Sequence, residues 1–321
     1  MSDIDLSFVV PAYNEEKNIR PFLEAMRDAV SSRKMRVEII FVDDGSADRT
    51  WEVVSDVASD WESSSIAIRG ISFSRNFGKE SAMLAGLGQT VGNCVCIIDA
   101  DLQQPPSTAL QMYDLLISSP AYDCVAAYQE ERKQGKIIGS MSSAFYGLLG
   151  DASGMEVVPN ASDFRVMRRS VVDALLSMPE YHRFSKGLFA WVGFKTLPFA
   201  YVPAERNAGE SNWGFKKLVS YAWEGLVSFS TAPLKVMTAF GLLSAVAALV
   251  MLIVTMIKRI ALGVDVPGYA TIVALILFFG GAQLIGMGVL GTYVARTYIE
   301  SKRRPSFIVR DAVSSEEEAA R

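Results

Sequence analysis

Two runs without a charged residue, 237–257 and 266–295, constrain this 321-residue chain more than anything else in it. A helix of about 20 apolar residues rises about 30 Å, the thickness of a bilayer's hydrocarbon core. The first run meets that length; the second exceeds it and can tilt or reach into the interface. Helices buried in soluble domains rarely stay uncharged for so long. The connection, 258–265, is short, so the two runs are expected to form an antiparallel hairpin. Lys216, Lys217 and Lys235 precede it and Arg296, Lys302, Arg303 and Arg304 follow it, whereas Lys258 and Arg259 are the basic residues in between. That bias puts both flanks in the cytoplasm, with the protein in the plasma (inner) membrane. Residues 1–5 hold two aspartates and no basic, apolar leader pattern, which agrees with a first domain that stays in the cytosol.

Half of the residues are hydrophobic, and the mean hydropathy of +0.23 owes its excess to the part after Met237. A net charge of −4 offers no bulk attraction to nucleic acid. Cys94, Cys96 and Cys124 lack zinc-site spacing and read as small buried hydrophobes.

Ahead of the hairpin, apolar strand-like runs at 6–10, 37–42, 66–73, 94–98 and 123–128 alternate with helical patterns over 14–30, up to 59, and 81–90. Pro11 is expected to stop the first strand, and Asn14 to cap the first helix. The rhythm implies an α/β fold, a mostly parallel sheet wrapped by helices. Such sheets bind ligands beyond the carboxyl ends of their strands, and there fall Asp43, Asp44, Asp99 and Asp101. A carboxylate pair at a strand end suits a hard divalent cation, Mg²⁺ or Mn²⁺, shared with substrate phosphates. From 135 to 213 the rhythm weakens, reading as the acceptor side of a site plus a mobile loop. Residues 212–229 mix Trp, Phe and Tyr with Lys216 and Lys217, which suits a helix lying in the membrane interface. The acidic tail, 314–321, reads as disordered. There is no internal repeat, and Gly86-Leu87-Gly88 is no dinucleotide fingerprint, because no strand directly precedes it.

The segments 11–16 (PAYNEE), 41–46 (FVDDGS) and 99–101 (DAD) together resemble the family-2 glycosyltransferases of GT-A, Rossmann-like fold. The segments 73–80 (FSRNFGKE), 163–165 (DFR), 182–184 (HRF), 191–193 (WVG) and 205–211 (ERNAGES) narrow the resemblance to polyprenyl-phosphate glycosyltransferases. Those at 228–234 (SFSTAPL) and 296–305 (RTYIESKRRP) narrow it to the bactoprenol glucosyltransferase branch. The resemblance implies that Pro11, Tyr13, Glu15, Asp43, Asp44, Asp99 and Ala100 bind a nucleotide sugar. It also implies that Asp99 and Asp101, assisted by Gln103, hold the metal. Asp163 would lie near the sugar and acceptor, and Arg132, Arg183, Arg206 and Ser211 would serve phosphates or the closing loop. Where many relatives carry two arginines three apart, this chain keeps Arg132 alone, so either Lys133 or Lys136 supplies a second contact or acceptor binding differs. Several of these residues have a structural alternative: Asp99 and Asp101 as a solvated turn, Asp43 and Asp44 as a turn and helix cap, Asp163 as a bridge to Arg165 or Arg168, Arg206 as a surface charge, Lys79 and Arg75 on a solvated face, His182 as a packing residue.

The implied organisation is a cytoplasmic catalytic domain (1–212), a juxtamembrane amphipathic helix (213–235), spans at 236–257 and 267–295, and a cytoplasmic tail (296–321). The implied activity is inverting transfer of a hexose, glucose from UDP-glucose, to undecaprenyl phosphate at the bilayer surface, with a homo-oligomer left open because the sequence is silent on oligomeric state. GDP-mannose, as in dolichyl-phosphate mannose synthases, or a UDP-amino sugar are alternative donors, and a silent membrane scaffold is an alternative of another class. A processive synthase is disfavoured, since its Gln-x-x-Arg-Trp signature and further spans are missing.

Overall fold

The computed structural model of the protein describes residues 4–61, 65–129, 161–178, 180–204, 227, 230–262 and 268–315. The chain divides into two compact units, residues 1–218 with 304–321, and residues 219–303.

The first unit is built from β1 (Leu6–Ala12), α1 (Ile19–Ser31), β2 (Val37–Asp43), α2 (Thr50–Asp60), β3 (Ile66–Phe73), α3 (Lys79–Gln89), β4 (Cys94–Ile97), α4 (Pro106–Ser118), β5 (Cys124–Gln129), β6 (Ala161–Arg168), α5 (Arg169–Leu176), α6 (Ser185–Trp191), β7 (Thr196–Tyr201) and β8 (Val309–Ser314). One mixed sheet runs β7-β5-β6-β4-β1-β2-β3-β8. Its centre, β4-β1-β2-β3, is parallel. β6 is antiparallel to both β4 and β5, β7 is parallel to β5, and β8 closes the far edge antiparallel to β3. Helices cover both faces, so the central strands read as continuous apolar runs rather than alternating ones. Phe8, Phe41 and Val54 pack in the core of one face, and Ile40, Val42, Phe73 and Ala85 in that of the other.

Three local outcomes depart from the sequence reading. Pro11 does not end β1, which continues to Ala12 in register with Asp43. β4 stops opposite Val9, so β1 beyond that point has an open side, where a missing N–H costs no ladder bond. Asn14 does not cap α1, which starts five residues later. It takes a left-handed turn (φ 57°), which asparagine tolerates better than most residues. There its N–H donates to Ser46 Oγ (2.9 Å) and its Oδ1 accepts from the Ala47 N–H (2.9 Å), lacing the β1 loop to the β2 loop. The tail is the third departure, because Ser314 ends the strand β8. Phe307 stacks on Phe73 with ring centroids 5.1 Å apart, and the Ser315 N–H donates to the Ile68 carbonyl at 2.9 Å. Residues 316–321 lie outside the described residues.

The second unit holds α7 (Ala232–Leu262) and α8 (Tyr269–Ser301). Stretches 232–258 and 274–301 are long and apolar enough to cross a bilayer, with mean hydropathies of 2.6 and 1.9, and neither is buried within the protein. Exposed Leu249, Ile253, Leu277 and Leu284 would be unfavourable in water on this scale and are at home in lipid. Within the unit, Phe240 meets Phe278 and Tyr293 Oη donates to the Ser230 carbonyl at 2.7 Å. Most of the expected interface helix, at 213–226 and 228–229, falls outside the described residues.

Candidate active site

Three loops at the carboxyl ends of β1, β2 and β4, with the start of α3, enclose a cleft of about 320 Å³. The β4 loop is tightly held. The Asp99 N–H donates to Gln104 Oε1 (2.9 Å), Gln104 Nε2 donates to Asp99 Oδ2 (3.2 Å), and the Gln103 N–H donates to Asp101 Oδ1 (3.1 Å). Leu102 between them adopts φ 62°, a strained conformation for a leucine, and its side chain is anchored against the core. Backbone strain of this kind accumulates where a side chain must be aimed.

The two aspartates that end β2 part ways. Asp44 faces the cleft and accepts from the Phe77 N–H (2.7 Å) and the Gly78 N–H (2.9 Å to Oδ2). Burial raises its pKa, an effect those N–H groups oppose. Asp43 points inward instead, accepting from the Ser46 N–H at 3.0 Å and from Ser72 Oγ at 2.7 Å. It braces the loop from beneath and does not line the cleft, unlike the role implied for it above. Glu15, on the opposite rim, receives Asn18 Nδ2, while its own N–H donates to Thr50 Oγ1 at 2.8 Å.

Of the residues singled out in the sequence, Pro11, Tyr13, Glu15, Asp44, Asp99, Ala100 and Asp101 converge on this cleft. Gln103 belongs to the same loop, but its backbone carbonyl is taken by the Ala204 N–H at 3.1 Å and it is not part of the lining. Arg183 is elsewhere. It donates to the Met178 carbonyl (2.7 Å) and the Leu175 carbonyl (3.3 Å), capping the end of α5, and burial lowers its pKa. Arg132, Lys133, Lys136, Arg206 and Ser211 lie outside the described residues.

Asn76, Gly78 and Lys79 line the cleft as well, and the sequence reading gave none of them a role there. Lys79 is the first residue of α3, an end where the helix dipole disfavours a cation. That misfit was the available signal, and carboxylates resolve it: Lys79 Nζ lies 2.6 Å from Asp99 Oδ1 and 3.6 Å from Asp163 Oδ2. Burial alone would lower the Lys79 pKa, but the two carboxylates outweigh it and raise it, so the ammonium keeps its proton. Burial likewise works to raise the Asp163 pKa, and Lys79, Lys186 and Arg165 reverse this and lower it. Asp163 is therefore an anion, not a basic carboxylate poised near neutrality.

Next to Lys79, Glu80 turns away from the cleft and accepts from the Ser185 N–H (3.1 Å to Oε2) and hydroxyl at the start of α6. Burial pushes its pKa up to about 7, helped by Asp163 and opposed by Ser185 and Arg183. The folded chain thus binds this proton more tightly than the unfolded chain, where the usual value is 4.5. The stability this confers is complete below pH 4.5 and is lost as pH rises through 7. Glu80→Gln is expected to stabilise the protein at pH 8 by up to ~3 kcal/mol and to change it little at pH 5. Thermal unfolding at the two pH values checks this, and an equal shift at both would contradict it.

The sequence of residues 7–176, which carries the whole cleft and Asp163, matches the profile of glycosyl transferase family 2. The chain is 40% identical to an uncharacterized glycosyltransferase of Synechocystis, over 96% of this chain and 95% of that one. It is 36% identical to a putative glycosyltransferase of Bacillus subtilis, over 96% and 92%. It is 39% identical to the bactoprenol glucosyl transferase of Shigella phage SfV, over 95% and 98%. Matched over more than half of its length by the family profile, and nearly end to end by these relatives, the chain belongs to glycosyl transferase family 2.

Proposed function

We propose that this glycosyltransferase is a membrane-anchored, inverting enzyme that transfers glucose from UDP-glucose to undecaprenyl phosphate at the cytoplasmic leaflet. The observation that carries the reading is the convergence of Tyr13, Asp44, Lys79, Asp99 and Asp101 on one cleft, in a chain that also bears two helices able to span a bilayer. Relatives of near-equal length named for bactoprenol glucosyl transfer point to the same acceptor class.

Exposed Tyr13 offers an aromatic face to the base, and Asp44 offers carboxylate oxygens to ribose or uracil. Asp99 and Asp101 fit Mg²⁺ or Mn²⁺: they are hard donors two residues apart on a rigid loop, and one or two carboxylates plus substrate phosphates complete such a site. When bound, the cation would stabilise charge on the departing diphosphate. An acceptor phosphate oxygen attacks the anomeric carbon as its bond to the UDP oxygen breaks, and the electron pair leaves with UDP. A single displacement inverts the anomeric centre. The acceptor is already an anion, so it needs positioning rather than deprotonation, which is consistent with the low basicity of Asp163. The apolar hairpin holds the enzyme where a lipid-borne phosphate is found.

Purified full-length protein in detergent, given Mg²⁺, undecaprenyl phosphate and in turn UDP-glucose, GDP-mannose or UDP-N-acetylglucosamine, tests the reading. Glycolipid is expected from UDP-glucose. Product from another donor alone would replace the sugar, and nucleotide binding without any lipid product would end the enzymatic reading.

A further inference from the structure

The cation that already stands in the cleft belongs to the protein. Lys79 Nζ is 2.6 Å from Asp99 Oδ1 and 3.6 Å from Asp163 Oδ2, so one ammonium serves carboxylates brought from the β4 loop and from β6. Asp99 Oδ2 is engaged by Gln104 Nε2 at 3.2 Å. Both oxygens of Asp99 therefore have protein partners. A divalent cation needs an oxygen of Asp99 at about 2.1 Å, and at that range the ammonium beside it would repel the ion strongly. The Lys79 side chain is 43% exposed, which leaves it room to withdraw. The helix dipole opposes a cation at this helix start, so the two carboxylates hold the ammonium there.

We propose that Lys79 is a placeholder cation. It holds Asp99 and Asp163 before donor binds, keeps free divalent metal out, and yields Asp99 when the metal arrives with a nucleoside diphosphate. The proposal rests on the metal reading given above and goes beyond it by fixing an order of binding: metal and diphosphate enter together. Withdrawn from Asp99, the ammonium retains Asp163 on one side and meets donor phosphate oxygens on the other. The lysine thus exchanges one anion for another and is not left unpaired. Such coupling makes metal affinity depend on the nucleotide, and by linkage nucleotide affinity depend on the metal to the same factor.

The test follows Mn²⁺ binding to the full-length protein in detergent, read by the electron paramagnetic resonance signal of free Mn²⁺, with and without UDP. Wild type is expected to bind Mn²⁺ weakly alone and at least ~10-fold more tightly with UDP. Lys79→Met is expected to bind Mn²⁺ alone at least ~10-fold more tightly than wild type, about 1.4 kcal/mol, so that UDP adds less. Lys79→Arg keeps the charge and is expected to stay weak in the absence of UDP. If UDP recruits Mn²⁺ to wild type and Lys79→Met alike while neither differs from the other alone, the placeholder is overturned and the metal site stands. If UDP recruits Mn²⁺ to neither, the metal reading itself falls and the placeholder with it. Should Lys79→Met fail to fold, Lys79→Gln, which also lacks the charge, decides by the same comparison.

Discussion

Asp101→Asn is expected to reduce glycosyl transfer by about 10²- to 10³-fold while leaving the protein folded and able to bind UDP without metal. The residue is 8% exposed and its Oδ1 accepts the Gln103 N–H at 3.1 Å, a bond that the amide oxygen of asparagine can keep. The shape of the loop should therefore survive, including the turn at Leu102. What is lost is one of the two carboxylates assigned to the metal, and with it the electrostatic support for a leaving diphosphate. Removal of a single preorganised stabiliser of developing charge commonly costs that much in rate. The checks are transfer of labelled glucose to undecaprenyl phosphate, a thermal melting curve, and UDP binding in the presence of a chelator. A folded Asp101→Asn enzyme with wild-type turnover would remove Asp101 from the metal site.

The residues legible in the sequence pattern share one property: they sit where an apolar strand gives way to polar residues. Asp44, Asp99 and Asp101 follow β2 and β4 directly, and a parallel sheet has only one edge at which such residues can gather. Asp163, named above through the resemblance alone, is different. It joins the group because β6 runs antiparallel to β4, which brings the beginning of β6 to the end of β4. Strand order is a long-range fact that no local pattern encodes. β8 escaped notice for a related reason. Its six residues, VRDAVS, include Arg310 and Asp311, and they become a strand because β3 offers them an open edge, not because they are strongly apolar. Arg183 shows the converse failure. A guanidinium beside aromatic residues suits a phosphate equally well on paper, but here the unpaired carbonyls at the end of α5 take its donors. Asn14 and Lys79 carried readable signals. The one tolerates a left-handed turn, and the other stands at the wrong end of a helix.

Gly45→Ala should be the most damaging small change in the donor half of the cleft. Gly45 has φ 64°, and a Cβ there would lie 2.4 Å from the Arg75 carbonyl carbon and 2.7 Å from the Asn76 nitrogen. Both are backbone atoms, so no side chain can rotate aside. Two loops must separate, and they are the two that Asp44 joins through the N–H groups of Phe77 and Gly78. The left-handed conformation alone costs alanine about 1 kcal/mol, and overpacking against fixed backbone adds about 1–3 kcal/mol. Gly193 supplies the control, because its φ is 70° and a Cβ there would meet nothing within 4 Å. Gly193→Ala should therefore carry the conformational cost alone, about 1 kcal/mol, and leave the donor KM unchanged. Gly45→Ala should lose about 2–4 kcal/mol of stability and raise the donor KM, since the parted loops carry Asp44, Asn76 and Lys79. Equal unfolding shifts in the two variants, with an unchanged KM in both, would mean that the β2 loop and the segment ahead of α3 are not locked together as their hydrogen bonds indicate.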